Sequence, residues 1–452
     1  MFAWQAPATA AVYYVDSASG NDSNSGLATN AALRSVAKVN SLPLGPGDSV
    51  LFRRGQSFSG TLDVQRSGAS GRPITIGAWD TGSDPVLFEI VLRGDYIVVE
   101  NLLVDHQKSA SDAIRIRGSR NSIIRNVEVR NGTRDGIDID GADGLLIENV
   151  EIHHFLNGSF GSEDDSHGIA VSNTDGLTIR RANIHHVSGD SLQVDPNRVP
   201  GSISNNIRIE DSVLWTGPLQ ENFNSGWRAG DSPGENAIDT KVLQSGYENE
   251  IRMNITLVNV TAYGWTAVPQ ISNRAVFNLK EKINAVLDRV TVYDSEIAFR
   301  VRGSLGNANT TIRNAVIYNV GTAIRAEDGV QNLKVYNSTF GNGINRILHN
   351  AGSSSGTGTW DWRNNAFVGS KPTEASHATN VVASASDFVA AAQHDYRLKA
   401  GSSLIDRGTT ISGVTVDRDG NPRSGTPDAG AYEYSTGGPA LAPPNPPVLS
   451  VN

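Results

Sequence analysis

The chain has no cysteine among its 452 residues, so neither a disulfide nor a thiolate metal site can form. This leaves secretion open, because a core that grows by repetition does not need such staples. Charge is also sparse: 19% of residues are charged, and acids outnumber bases to give a net charge of −9. That balance lacks the basic face of a general nucleic-acid binder. No apolar run approaches the roughly 18 residues of a membrane span. Residues 1–11 have neither a basic stretch nor a full apolar one. They read as the remnant of an export signal or as a tag. The length exceeds what one compact core usually holds but suits a solenoid.

What the chain has instead is glycine, 46 residues of it, and a recurring phrase. The phrase is a small residue followed by apolar, polar, apolar and polar residues. It reads Ala113-Ile114-Arg115-Ile116-Arg117, Gly136-Ile137-Asp138-Ile139-Asp140 and Gly168-Ile169-Ala170-Val171-Ser172. It continues as Ser191-Leu192-Gln193-Val194-Asp195, Ala237-Ile238-Asp239-Thr240-Lys241 and Val276-Phe277-Asn278-Leu279-Lys280. Ala298-Phe299-Arg300-Val301-Arg302 and Ala323-Ile324-Arg325-Ala326-Glu327 close the series. Period-2 alternation predicts half-buried strands, and the recurrence predicts a repeat architecture.

A second phrase follows the first, as in Ile123-Ile124-Arg125-Asn126-Val127-Glu128-Val129 and Leu146-Ile147-Glu148-Asn149-Val150-Glu151-Ile152. Asn126, Asn149, Asn314 and Asn337 occupy its bend, where short polar side chains tolerate unusual dihedrals. The short steps between opening phrases are 23 residues, Ala113 to Gly136 and Gly168 to Ser191. Two or three strands with tight turns in that length make one coil of a parallel β-helix. A sandwich would instead show hairpin signals and no fixed period. The expected fold is therefore all-β, a single-stranded parallel β-helix, with each strand about 4.8 Å from its equivalent one coil away. Leu33, Val36, Val39 and Leu42 have helical spacing and predict a short N-terminal capping helix within Ala31 to Leu42. The expected boundaries are a cap at 12–72, regular coils at 73–369, a closing segment at 370–434 and a Pro-rich linker at 435–452. The linker suggests that another module follows.

Stacking the phrases turns their outward positions into columns. The first is Arg115, Asp138, Ala170, Gln193, Asp239, Asn278, Arg300 and Arg325. The second is Arg117, Asp140, Ser172, Asp195, Lys241, Lys280, Arg302 and Glu327. Asp195, Asp239 and Lys241 then fall on adjacent coils. Stacked like charges at about 5 Å repel unless a cation intervenes, and Ca2+, with its flexible oxygen shell, is the economical candidate. Three enlarged steps, Gly136 to Gly168, Ser191 to Ala237 and Ala237 to Val276, flank this cluster. Long loops on a rigid scaffold usually wall a binding site. Their side chains include Glu163, Asp164, Asp165 and His167, then Trp215, Trp227, Arg228 and Glu235, then Tyr263, Trp265 and Arg274. Aromatics can stack on sugar rings, and arginines can grip carboxylates. Asn278 and Arg300, outward on the same face, join His167, Trp227, Arg228, Trp265 and Arg274 as candidate substrate contacts.

The coil pattern, with Tyr13-Tyr14-Val15-Asp16-Ser17-Ala18-Ser19-Gly20-Asn21-Asp22 at the start, resembles the pectate-lyase-like right-handed β-helix superfamily. So do Asp417-Arg418-Asp419-Gly420-Asn421-Pro422-Arg423 and Asp428-Ala429-Gly430-Ala431-Tyr432-Glu433 near the end. The site is most similar to that of calcium-dependent pectate lyases of polysaccharide lyase family nine. The resemblance implies calcium ligands at Asp190, Asp195, Glu235 and Asp239 and a lysine base at Lys241. That family's tight run of two acids, two other residues and a third acid is missing here. Asp138 and Asp140 would either extend the cation site or pair with Arg115 and Arg117. The implied reaction is β-elimination on an acidic, uronate-containing polysaccharide by a secreted bacterial monomer. Lys241 must be neutral to take the C5 proton, and nearby Lys280, Arg302 and calcium would favour that.

Plainer readings stand beside these. Outward charges on a β-helix are commonly solvated surface, and Arg115, Arg117, Arg325 and Glu327 are read so. His153-His154 and His185-His186 lie at equivalent bends and read as a structural ladder. Two carboxyls such as Asp195 and Asp239 would equally suit a glycoside hydrolase, or the scaffold a uronate epimerase. A non-catalytic carbohydrate-binding adhesin is the remaining alternative.

Overall fold

The computed structural model describes residues 10–195, 203–241, 252–280, 282–303, 306–352 and 359–435. The Pro-rich tail and most of the expected export remnant lie outside them. Among the described residues, 29 strands belong to one sheet whose rungs between coils are parallel. The second phrase forms ten-residue strands, Ile123–Gly132, Leu146–Phe155 and Thr178–Val187. Each bends near its middle, at Asn126 (φ 54°), Asn149 (φ 51°) and Arg181 (φ 50°), and again near its end, at Asn131 (φ 62°), His154 (φ 57°) and His186 (φ 51°). Left-handed backbone is cheapest for asparagine among residues with a Cβ, which explains the recurring type. The amides also stack, Asn149 donating to Asn126 Oδ1 at 2.7 Å. Asn314 and Asn337 bend in the same way, at φ 52° and 44°.

The bend gives each coil two faces, and the opening phrase supplies a third. On that third face the register is the expected one. Arg115 pairs with Asp138, then Ala170, Gln193, Asp239, Asn278, Arg300 and Arg325 in succession. The alternate positions point inward: Ile114, Ile137, Ile169, Leu192, Ile238, Phe277, Phe299 and Ile324 are all buried in one continuous core. Each such side chain contributes about 1.5–3 kcal/mol on burial, so a slip of one residue would forfeit the core side of every phrase. The small residue opening the phrase is also steric. A Cβ at Gly168 would sit 2.4 Å from Ile184 Cγ2 and 2.6 Å from the Ser191 carbonyl oxygen.

The capping helix is shorter than its apolar spacing suggests, Val36–Asn40, after a 3-10 turn at Thr29–Ala31. Leu33 is held extended by a parallel bridge to Val15. The helix therefore starts only after Ser35, whose side chain accepts from the Lys38 N–H. Val36 and Val39 add to the core at that end. At the other end, Phe388, Tyr396, Leu398, Leu404, Ala429 and Ala431 pack against Val316 and Ala366 of the coils. Arg418 reaches back to Thr291 Oγ1 and Asn259 Oδ1, fastening this closing segment to the solenoid.

Candidate active site

The outward columns meet a cleft of about 450 Å³ on the third face, lined by Arg134, Asp135, Asp138, Asp165, His167, Ala170, Val171, Ser172, Gln193, Asp195 and Lys241. Parallel rungs set the spacing. The Asp195 N–H donates to the Val171 carbonyl at 2.9 Å and the Lys241 N–H to the Val194 carbonyl at 2.9 Å. Lys241 therefore stands one coil beyond Asp195. Its Nζ lies 3.3 Å from Asp239 Oδ2, and Lys280, from the next coil, reaches the same oxygen at 2.8 Å. Asp239 is 1% exposed, so one buried carboxylate carries two ammonium groups. Burial works to lower the Lys241 pKa, but Asp190, Asp239 and Asp165 outweigh it and hold the ammonium above its ordinary value. Its neutral form is thus favoured only in alkaline solution.

The residue just before each opening phrase forms a further ladder. The Asp135 N–H donates to Asp112 Oδ1 at 3.3 Å, the His167 N–H to Asp135 Oδ1 at 2.7 Å, and the Asp190 N–H to His167 Nδ1 at 2.9 Å. Asn236 closes it by donating to Asp190 Oδ1 at 2.8 Å. Because His167 Nδ1 accepts, the proton of the neutral ring is on Nε2. Asp190 is fully buried, and burial first, then Asp239 and Glu235, pushes its carboxyl well above the usual carboxylate range. Asp135 rises to about 7, chiefly by burial, with Asp112 and Asp138 adding to the rise. Glu235 is also raised, by burial and then Asp165.

Arg134 and Asp135 are cleft residues that phrase-reading overlooks. The signal was present, since Asp112, Asp135, His167, Asp190 and Asn236 share one offset from the phrase. His167, Asp195, Asp138 and Lys241 do line the cleft, and Asn278 adjoins Asp239 in register.

Several expected contacts belong elsewhere. Trp227 is fully buried with Leu156, Leu219 and Phe223, its indole N–H on the Asn157 carbonyl at 3.0 Å, so it has no face for a sugar. Trp265 is part of the main core. Arg274 is 1% exposed, and its guanidinium donates to the carbonyls of Gly234, Thr266, Ser232 and Pro233. Burial lowers its pKa to about 10, and it acts as a loop clamp. Arg228 is exposed on the loop that Trp227 anchors. Arg300, an expected substrate contact, is tied to Glu327 at 2.9 Å, and Arg302, expected to favour neutral Lys241, is tied to Asp328 at 3.0 Å.

The six expected calcium ligands do not form a cage. Asp138 is paired with Arg117, and Asp140 is exposed at the end of the same strand. Asp190 is enclosed, and one oxygen of Asp239 is taken by two lysines. Among the described residues no three histidine or acidic side chains are grouped to hold a metal ion. The histidines at the bends do form the expected ladder, His153 on His185 at 5.0 Å and His154 on His186 at 5.2 Å.

Comparison with known proteins agrees with this architecture. A family model described as the right handed β-helix region matches residues 89–218. A lacto-N-biosidase of Bifidobacterium longum subsp. longum is 40% identical over 88 residues, a match spanning 18% of this chain and 6% of that protein. The crystal structure of a pectate lyase aligns over 95% of this chain and 97% of its own, with TM-score 0.52 and 18% identity. A rhamnogalacturonan lyase aligns over 84% and 91%, with TM-score 0.55 and 13% identity. The chain has the right-handed parallel β-helix fold of these two structures.

Proposed function

We propose that the protein is a carbohydrate-active enzyme that cleaves a uronate-containing polysaccharide by β-elimination in the cleft beside Lys241. The observation that supports this reading is the convergence of Lys241 and Lys280 on Asp239 Oδ2. Lys280, the nearer, keeps Asp239 paired, and Lys241, which borders the cleft, is the lysine that can give up its proton. Neutral Lys241 takes the C5 proton of a bound uronate. The C5 electron pair forms the C4–C5 double bond, the C4–O bond breaks, and the departing oxygen takes a proton from water. Arg134 and the Nε2–H of His167, both from the cleft lining, are the donors proposed for the carboxylate on which charge builds up. In this reading the lysines and Arg134 supply the positive charge that calcium supplies in the resembled family. Action outside the cell follows, since a polysaccharide is degraded where it lies.

A second reading, glycoside hydrolysis, is favoured by one observation. Asp135 borders the cleft with a pKa of about 7, the value of a carboxyl poised as a general acid.

The test is incubation with polygalacturonate, alginate and glycosaminoglycans from about pH 5 to about pH 11, with calcium and with chelator. The expected result is absorbance from an unsaturated uronate product, climbing on the alkaline side and changed less than about twofold by chelator. New reducing ends without that absorbance, peaking near neutrality, would replace elimination with hydrolysis. Loss of all activity in chelator would return the charge-neutralising role to a metal ion.

A further inference from the structure

The loop from Thr216 to Gly234 does not wall the cleft beside Lys241. Trp227 and Phe223 anchor it on Leu156, over the bends where the second phrase ends. There it closes a separate cleft of about 440 Å³, whose walls include Gln107, Asn131, His153, His154, Glu221 and Asn222. We propose that this second cleft is a binding site for a neutral sugar unit.

Three features carry the assignment. The first is chemistry: amides and carboxylates from two sides converge above the imidazole of His154, which burial keeps neutral. Burial, then neighbouring His153, drives the His154 pKa to about 3. A lining of one neutral ring and short polar groups matches the alternating apolar and hydroxyl faces of a sugar.

The second is charge. The two cations of the cleft are already committed. Arg130 binds Asp105 at 2.9 Å and Glu128 at 2.7 Å. Lys108 donates to the Phe223 carbonyl and lies over its ring at 4.6 Å. With Glu221 added, nothing here favours a carboxylate ligand, so this site and the one beside Lys241 select different units.

The third is rigidity. Asp105, Arg130 and His153 of the cleft belong to a cross-coil column, paired in register, that continues beyond it to His185 and Trp215. His153 stacks on His185, and His185 on Trp215 at 4.4 Å. Such a column needs little ordering when a ligand arrives.

The two clefts are close. Asn131 borders one and Arg134 the other, no more than about 11 Å apart at 3.8 Å per Cα step. A branched glycan could fill both, but the binding proposed here stands whatever chemistry the Lys241 cleft performs.

The test is calorimetry on Lys241→Ala, which removes turnover, with xylo-, galacto- and arabino-oligosaccharides and with oligogalacturonates as the anionic control. At least one neutral series is expected to bind. Adding Gln107→Ala and Glu221→Ala, both at exposed positions, should weaken that binding at least tenfold with circular dichroism and Tm unchanged. Unchanged affinity in the triple variant overturns the site. So does binding confined to the anionic oligomers, or no binding by any series.

Discussion

The third face carries the same phrase from end to end, and a carboxylate shared by two cations occurs both at its far end and in its middle, but the middle one stands beside the cleft. At one end Arg115 meets Glu89 and Arg117 meets Asp138. At the other, Glu327 takes both Arg300 and Arg325, and Arg302 takes Asp328. In the middle, Asp239 faces two lysines, and among the described residues Asp239 Oδ1, Gln193 Oε1 and Asn278 Oδ1 are buried without hydrogen-bond partners, as is Arg115 Nε at the first end. Backbone and register are the same throughout, so the fold did not force the difference. Groups left partly satisfied inside an otherwise consistent ladder are where a protein departs from its own rules for a reason other than stability.

The largest break in that comparison is Lys241→Ala. Removing the proposed base should lower turnover by about 10²–10⁴-fold with little change in Tm, because Lys280 keeps Asp239 paired. Arg300→Ala, at the matched end, should retain turnover within about twofold. Steady-state rates on the most active polysaccharide decide it. Equal losses in the two variants would erase the distinction between middle and ends.

Asp239→Asn separates charge from shape. Asp239 helps hold the Lys241 ammonium above its ordinary pKa, so its removal lets Lys241 deprotonate at lower pH. The alkaline limb of the rate profile should move toward neutrality. Stability should fall by about 3 kcal/mol, since two ammonium groups lose a buried partner. A limb that stays in place while stability falls would show that Lys241 is not the titrating base.

How much of this was legible follows from which forces are periodic. Alternation fixes which side chains face out, and a constant coil fixes which of them stack, so the column from Arg115 to Arg325 can be read from the phrases alone. Loop side chains obey neither rule. Trp227, Trp265 and Arg274 look like sugar contacts by residue type, but each serves to fix its own loop. Trp227 fills a small apolar cluster and Arg274 satisfies carbonyls that no strand could reach. Arg134 and Asp135 were hidden for another reason. They sit in the turn before a phrase, where the alternation has not begun and only the offset from the next strand identifies them.

A smaller effect tests Asp135. Its folded pKa, about 7, lies above the ordinary 3.8. Between these values the folded state holds a proton that the unfolded chain has lost. Stability from this group is therefore highest at low pH and declines as pH rises from about 4 to about 7. Asp135→Asn keeps an acceptor for the His167 N–H and should flatten that decline, so the variant is the more stable partner above neutrality and the advantage disappears in acid. Denaturant midpoints across pH measure it. A variant destabilised equally at every pH would mean that Asp135 is a charged member of the ladder. The same variant bears on the two chemistries, because loss of a rate maximum near neutrality would favour hydrolysis.

The smallest expected effect is at the matched end. Arg325→Ala removes one of the arginines on Glu327, but Arg300 stays with it at 2.9 Å, and the Arg325 side chain is 20% exposed. Partly exposed pairs contribute about 0–1 kcal/mol, so the denaturant midpoint should scarcely move and turnover should not change. Glu327→Gln is the sharper version. It leaves Arg300 and Arg325 in register on adjacent coils with no carboxylate between them, which creates unmatched cations at the end of the column. If that variant is only mildly destabilised and gains no activity, unmatched charge alone does not make a site. The middle of the face would then owe its chemistry to the cleft that Asp135, His167 and Lys241 border as much as to the lysines themselves.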